Sequence, residues 1–132
     1  MLSYKLAKPL NVKQDKICIV GNPVRQDFLN ISRAEARRNL GLDDKDTVVL
    51  SYSGSLGAKK VNEAFCSMAK LSAEDGLIIH YHGAARDFGF VKETLKDIKN
   101  NSNIRIFEYI YNMPEVMAAA DLIISRLSLI HI

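Results

Sequence analysis

The sequence predicts an α/β fold, a mainly parallel sheet with helices on both faces. Three observations lead there. Short β-branched apolar runs alternate with segments whose apolar residues recur at helical spacing, in the order strand, helix, strand, helix, strand, helix, strand, helix, strand. The early strand-like runs close on small turn residues, at Gly21, Gly54 and Gly83. The 132 residues, 48% hydrophobic and 25% charged, suit one soluble domain with one core.

Residues 1–16 are polar and Lys-rich and read as a lead-in, followed by one domain over 17–126 and a tail over 127–132. Ile17-Cys18-Ile19-Val20 reads as a first short strand. In Gly21-Asn22-Pro23-Val24-Arg25, Pro23 fixes its own φ and keeps Asn22 out of the helical region, so Arg25 follows a rigid turn. Ser32-Arg33-Ala34-Glu35 is a capping box, and the helix it opens stops at Gly41. Thr47 to Tyr52 reads as a buried strand running into Ser53-Gly54-Ser55-Leu56-Gly57-Ala58. Val61, Ala64, Phe65, Met68 and Ala69 then mark a helix to about Leu71. A small-residue turn that opens a helix presents unpaired N–H groups at the positive end of the helix dipole. It is either a diphosphate cradle or a tight turn with no ligand.

Leu77 to His82 is the next strand, with His80 and His82 on one face. With no third ligand nearby, the pair reads as one packed or hydrogen-bonded histidine and one at the strand's end, not as a metal site. Phe88, Val91, Leu95 and Ile98 mark a helix, and Ile104 to Phe107 a strand. Asn112 is the expected cap of a short helix with Pro114 in its first turn, and Asp121 to Ser125 is the last strand, with Arg126 at its end. Ligands in such folds sit beyond the carboxyl ends of the strands. Ser55, His82, Ile110 and Arg126 fall there and are expected to line one crevice.

A net charge of +3 admits anionic ligands or an anionic membrane surface and falls short of what nucleic-acid binding requires. Cys18 and Cys66 are unclustered and read as two reduced, buried thiols of a cytoplasmic protein. The start lacks the apolar run of a signal peptide, and no stretch approaches the roughly 20 apolar residues of a spanning helix.

Three stretches together resemble one family. They are Gly21-Asn22-Pro23-Val24-Arg25; Gly54-Ser55-Leu56-Gly57-Ala58 with Asn62; and Glu108 to Met113 leading to Ala120-Asp121-Leu122-Ile123-Ile124-Ser125-Arg126. They are similar to the C-terminal half of the bacterial peptidoglycan glycosyltransferases that add N-acetylglucosamine to lipid I. The resemblance spans about residues 17–126 and implies the Rossmann-like, UDP-sugar-binding half of a GT-B fold, incomplete here. It implies UDP-N-acetylglucosamine as donor and no cofactor or metal. By position, Arg25 would contact the nucleotide-sugar near its phosphates, and Ser55 with neighbouring backbone N–H groups would hold the diphosphate. Ile110 would meet the uracil through its backbone, with Asn22, Gly54, Gly57 and Arg126 in support. Lipid I, the general base and peripheral contact with the cytoplasmic face of the membrane are expected of an N-terminal domain outside this sequence. Alone, the fragment is not expected to turn over.

The sequence also departs from that family. Ser53 stands where the first of two glycines is usual, and Leu56 where a glutamine is usual. Leu127 to Ile132 is foreign to the pattern, so no site residue is carried past Arg126. Three rivals remain. A serine hydrolase is one, because Ser53-Gly54-Ser55-Leu56-Gly57 approaches Gly-x-Ser-x-Gly, but His131 is a poor partner for it. The others are a UDP-sugar epimerase-like half-domain and a non-catalytic nucleotide-binding module.

Overall fold

The computed structural model describes residues 11–21, 23–54, 58–98 and 101–126. The chain divides into two compact units, Met1–Asn30 and Ile31–Ile132.

The described part of the first unit carries two short 3-10 turns, Gln14–Lys16 and Gln26–Phe28. The strand expected at 17–20 does not form; only Ile19 makes an isolated bridge. The reason is burial. Ile19 and Val20 are 54% and 53% exposed, and β-branched residues favour a strand only where a packed surface receives them. Cys18 is likewise exposed, contrary to expectation, whereas Cys66 is buried as expected.

The second unit holds the alternation: α1 (Arg33–Asn39), β1 (Thr47–Ser53), α2 (Lys59–Ser72), β2 (Ile78–Gly83), α3 (Phe88–Thr94), β3 (Ile104–Phe107), α4 (Met113–Ala119) and β4 (Leu122–Arg126). The four strands form one parallel sheet in the order β3-β2-β1-β4. Successive strands run outward from β1 to β3, and the chain then returns across the sheet to place β4 on the other side of β1. The gap between β1 and β4 is therefore the topological switch point.

Local chemistry sets the boundaries. The Ser32 hydroxyl accepts from the Glu35 N–H at 3.2 Å, capping α1. Gly41, just past its end, takes φ +66°, a conformation glycine adopts without strain. Asn112 precedes α4 but does not cap it by its side chain, which donates to Glu115 Oε2 at 3.2 Å instead.

Strand alternation sorts the core into two layers. Val48, Leu50 and Tyr81 face α1 and α4, packing on Ala36, Val116 and Ala119. On the other face Phe65, Cys66 and Ala69 of α2 pack with Val91 and Leu95. β4 is an edge strand with Leu122, Ile123 and Ile124 exposed.

The N-terminal end of the sheet is closed by a buried cation. Arg37, only 1% exposed, donates to the Ala119, Asp43 and Asp46 carbonyls at 3.2, 2.7 and 3.0 Å, and to Asp121 Oδ2 at 2.8 Å. Arg33 donates to Asp121 Oδ1 at 2.5 Å, and the Val48 N–H to Oδ2 at 2.8 Å. The Val48 N–H and the two guanidinium groups hold the Asp121 carboxyl below the usual carboxylate range.

Candidate functional site

The C-terminal ends of the strands form the other edge. β1 ends at Ser53, in register with Arg126 of β4, so these residues flank the switch point. Gly54 follows and is exposed, with nothing within 4 Å of where a Cβ would stand. α2 then begins after Ala58, whose extended backbone makes no side-chain cap. Ser53 is 9% exposed, and its hydroxyl finds no partner among the described residues. By alternation it shares the α2-facing side of β1 with Ser51.

The ends of β2 and β3 are tied by backbone bonds, Ala84 N–H to Phe107 O at 2.8 Å and Ala85 N–H to Glu108 O at 3.0 Å. Ala85 takes φ +51°, a left-handed conformation that a residue with a Cβ adopts at a cost of about 1–2 kcal/mol. Beyond it lies a groove of about 530 Å³ lined by Arg86, Phe107, Glu108, Tyr109 and Tyr111 among others. Its two tyrosines are exposed and meet edge to face at 5.0 Å.

The expected site residues fare differently. Gly54 and Arg126 lie at strand ends in the second unit, as expected. Ser55, Gly57 and Asn22 fall outside the described residues. Arg25 belongs to the first unit, exposed, ion-paired with Asp27 at 2.5 Å and 5.3 Å from the Phe28 ring centroid. Ile110 is 4% exposed; its side chain packs in the core, near Gly83.

His82 does not line a crevice. It is fully buried, stacked on Phe65 with ring centroids 3.7 Å apart. His80 is buried too, its Nε2 2.7 Å from the Ser72 hydroxyl and its Nδ1 without a partner among the described residues. So both histidines are packed and hydrogen-bonded. No group of three or more metal-ligating side chains is found among the described residues.

The polar chain through His82 has a fixed direction. Asn62 Nδ2 lies 3.2 Å from the Ala84 carbonyl and 2.8 Å from Asp87 Oδ2, both acceptors, so the amide nitrogen belongs on that side. Asn62 Oδ1 then faces His82 Nε2 at 2.9 Å, which assigns the ring proton to Nε2. Nδ1 in turn accepts from the Ser51 hydroxyl at 2.7 Å. Burial, chiefly, pushes the His82 pKa down to about 4, although the Ser51 backbone pulls the other way. Asn62 stood in a recognisable stretch of sequence, but its partnership with His82 and Asp87 had no local signal; neither did the burial of the Ser53 hydroxyl.

Comparison with known proteins gives the context. The "Glycosyltransferase family 28 C-terminal domain" matches residues 48–126. A protein of Acetivibrio thermocellus named UDP-N-acetylglucosamine--N-acetylmuramyl-(pentapeptide) pyrophosphoryl-undecaprenol N-acetylglucosamine transferase is 31% identical over 126 residues, which is 95% of this chain and 34% of that protein. Proteins of the same name from Ruminiclostridium cellulolyticum and Halalkalibacterium halodurans are 30% and 32% identical, over 95% and 86% of this chain and 35% and 31% of their own lengths. This chain therefore spans about a third of these relatives. The crystal structure of Acinetobacter baumannii MurG has a similar fold, with a TM-score of 0.51 and 23% identity over 84% of this chain and 31% of that one.

Proposed function

Residues 48–126 make this chain a member of glycosyltransferase family 28 through its C-terminal domain, and from that membership we propose that it is the donor-binding part of an enzyme that moves N-acetylglucosamine from UDP-N-acetylglucosamine to lipid I. One observation carries the reading. β1 ends at Ser53 and Gly54 beside the switch point, with Arg126 on the neighbouring strand, and α2 opens after Ala58. A helix N-terminus without a side-chain cap and a cation nearby suit a diphosphate.

In this reading Ser55 and adjacent N–H groups hold the diphosphate, with Gly54 and Gly57 allowing close approach and Asn22 and Arg126 in support. Arg25, ion-paired with Asp27 in the free chain, is assigned to the nucleotide-sugar near its phosphates, whose oxygens suit a guanidinium. Ile110 meets the uracil through its backbone, a role compatible with a side chain already committed to the core. In the reaction the acceptor hydroxyl oxygen bonds the anomeric carbon, the bond to the diphosphate breaks, and UDP leaves with the electron pair. The hydroxyl proton passes to a general base. Positive charge held at the diphosphate stabilises the leaving group. The base, the lipid I site and any membrane contact are assigned to the part of such an enzyme that this chain does not span. Among the described residues no helix is long and apolar enough to cross a membrane.

Calorimetric titration of the purified chain tests the proposal. UDP and UDP-N-acetylglucosamine should bind at least ten-fold tighter than ADP, and Arg25→Ala should weaken binding by about ten-fold, ~1.4 kcal/mol. A folded chain that binds none of the three, or ADP equally well, would overturn it.

A further inference from the structure

Asparagine is a poor choice for a buried helix position, since its amide must be satisfied on both sides and its helix propensity is low. Asn62 nevertheless sits fully buried in the first turn of α2, on the face that packs on the sheet. Its partners come from separate elements: His82 of β2, the Ala84 carbonyl just after β2, and Asp87 of the turn that leads into α3. Through His82 the chain reaches Ser51 of β1.

We propose that Asn62 is a positioning residue: its amide fixes the first turn of α2 against the C-terminal ends of β1 and β2, and so sets the affinity of that edge for the diphosphate of a nucleotide. The proposal rests on the function proposed above. His82 contributes by holding the amide in one orientation, and Asp87 by holding its nitrogen. Phe65 stacks on His82 one turn further along, but among the described residues Asn62 is the one side chain of α2 that hydrogen-bonds these elements at this end.

The molecule supplies its own control. At the other end of the same helix, Ser72 makes a comparable hydrogen bond to His80 at 2.7 Å. Ser72→Ala removes a histidine contact of the same kind at a place remote from the switch point. If Asn62 served stability alone, both changes would act alike on the open edge.

Two measurements on the whole chain separate the possibilities. The first is amide hydrogen exchange at Val61, Glu63 and Ala64. The second is UDP titration. Asn62→Leu should speed exchange in that turn at least ten-fold and weaken UDP at least ten-fold, while Ser72→Ala leaves both within two-fold of the wild type. Asp87→Ala removes a partner from a partly exposed turn and keeps the test alive if Asn62→Leu does not fold. It should give the same pattern at about three-fold. Unchanged exchange in the Asn62 and Asp87 variants, or equal effects from Ser72→Ala, would overturn the proposal. If the wild type binds no uridine nucleotide, the proposed function fails, and the exchange data alone decide whether Asn62 positions the helix.

Discussion

The two ends of one sheet are built on opposite terms. At the N-terminal end of β1 and β4, Asp121 receives Arg33, Arg37 and the Val48 N–H, and Arg37 in turn caps three carbonyls. At the C-terminal end Ser53 has a hydroxyl without a partner among the described residues, Ala58 gives α2 no side-chain cap, and Ala85 holds a strained φ. One end is chemically closed, whereas the other keeps polar groups in reserve. Polar groups cost free energy when buried without partners, so the second end is less stable than its composition allows. Unanswered groups and strain collect where a ligand completes the structure, while satisfied networks hold the fold.

The largest effect should come from opening the closed end. Arg37→Ala removes a guanidinium bonded to four groups and leaves three carbonyls short of a partner. The expected loss is about 3–5 kcal/mol in denaturant unfolding. Nucleotide affinity of the folded fraction should stay unchanged, because the residue lies at the opposite end of the strands. A loss below about 1 kcal/mol would mean that the N-terminal network is not what holds this end together.

Acid should separate the ends next. His82 is lowered from 6.5 to about 4 by burial, so as pH falls below 6.5 the unfolded chain takes up a proton that the folded chain refuses. Stability on its account is full above 6.5, declines down to about 4 and levels off below. The expected decline is about 2–3 kcal/mol between pH 7 and pH 4.5. His80, also lowered by burial, adds to it in the same direction. Asp121 is shifted the opposite way: its contribution is present above the usual carboxylate pKa and is lost only as pH falls through its lower folded value. The His82 contribution at the C-terminal end should therefore be lost first and the Asp121 contribution at the N-terminal end last. His82→Gln should flatten much of the decline between pH 6.5 and 4, and an unaltered profile would remove His82 from the account.

The fold was largely legible because it rests on periodicity. β1 to β4 and α1 to α4 follow apolar spacing, and Ser32 and Gly41 bracket α1 by local chemistry that needs no tertiary partner. The failures share a cause. Ile17 to Val20 has strand composition, but whether a strand forms depended on a neighbour to cover it. Asn112 has the composition of a cap, yet its amide turned to Glu115. His82 looked like a residue at a strand's end because sequence gives its distance from Gly83 and not the arrival of Phe65 and Asn62 above it. Likewise composition does not distinguish buried Arg37 from exposed Arg38; the distinction is made by the carbonyls of Asp43, Asp46 and Ala119 and by Asp121, far along the chain. Of the candidate site, Gly54 and Arg126 were legible as strand-end residues, whereas the Asn62 network required the assembled sheet.

The smallest effect should be opposite in sign to the first and so tests the comparison most closely. Removing a bonded polar side chain at the closed end costs stability; removing the hydroxyl of Ser53 at the open end should cost nothing. Ser53 buries a hydroxyl without a partner among the described residues, and such a group carries a desolvation penalty with no bond to offset it. Ser53→Ala keeps the Cβ and deletes only the oxygen. The expected result is a gain of up to about 1 kcal/mol, read as a small rise in the thermal midpoint of the free chain. Bound UDP should narrow or reverse that gain if the hydroxyl turns to the nucleotide, because the wild type alone would then gain a hydrogen bond on binding. A free variant less stable than the wild type would show that the hydroxyl is already bonded in the folded chain, and the contrast between the two ends would then rest on Ala85 and the uncapped start of α2 alone.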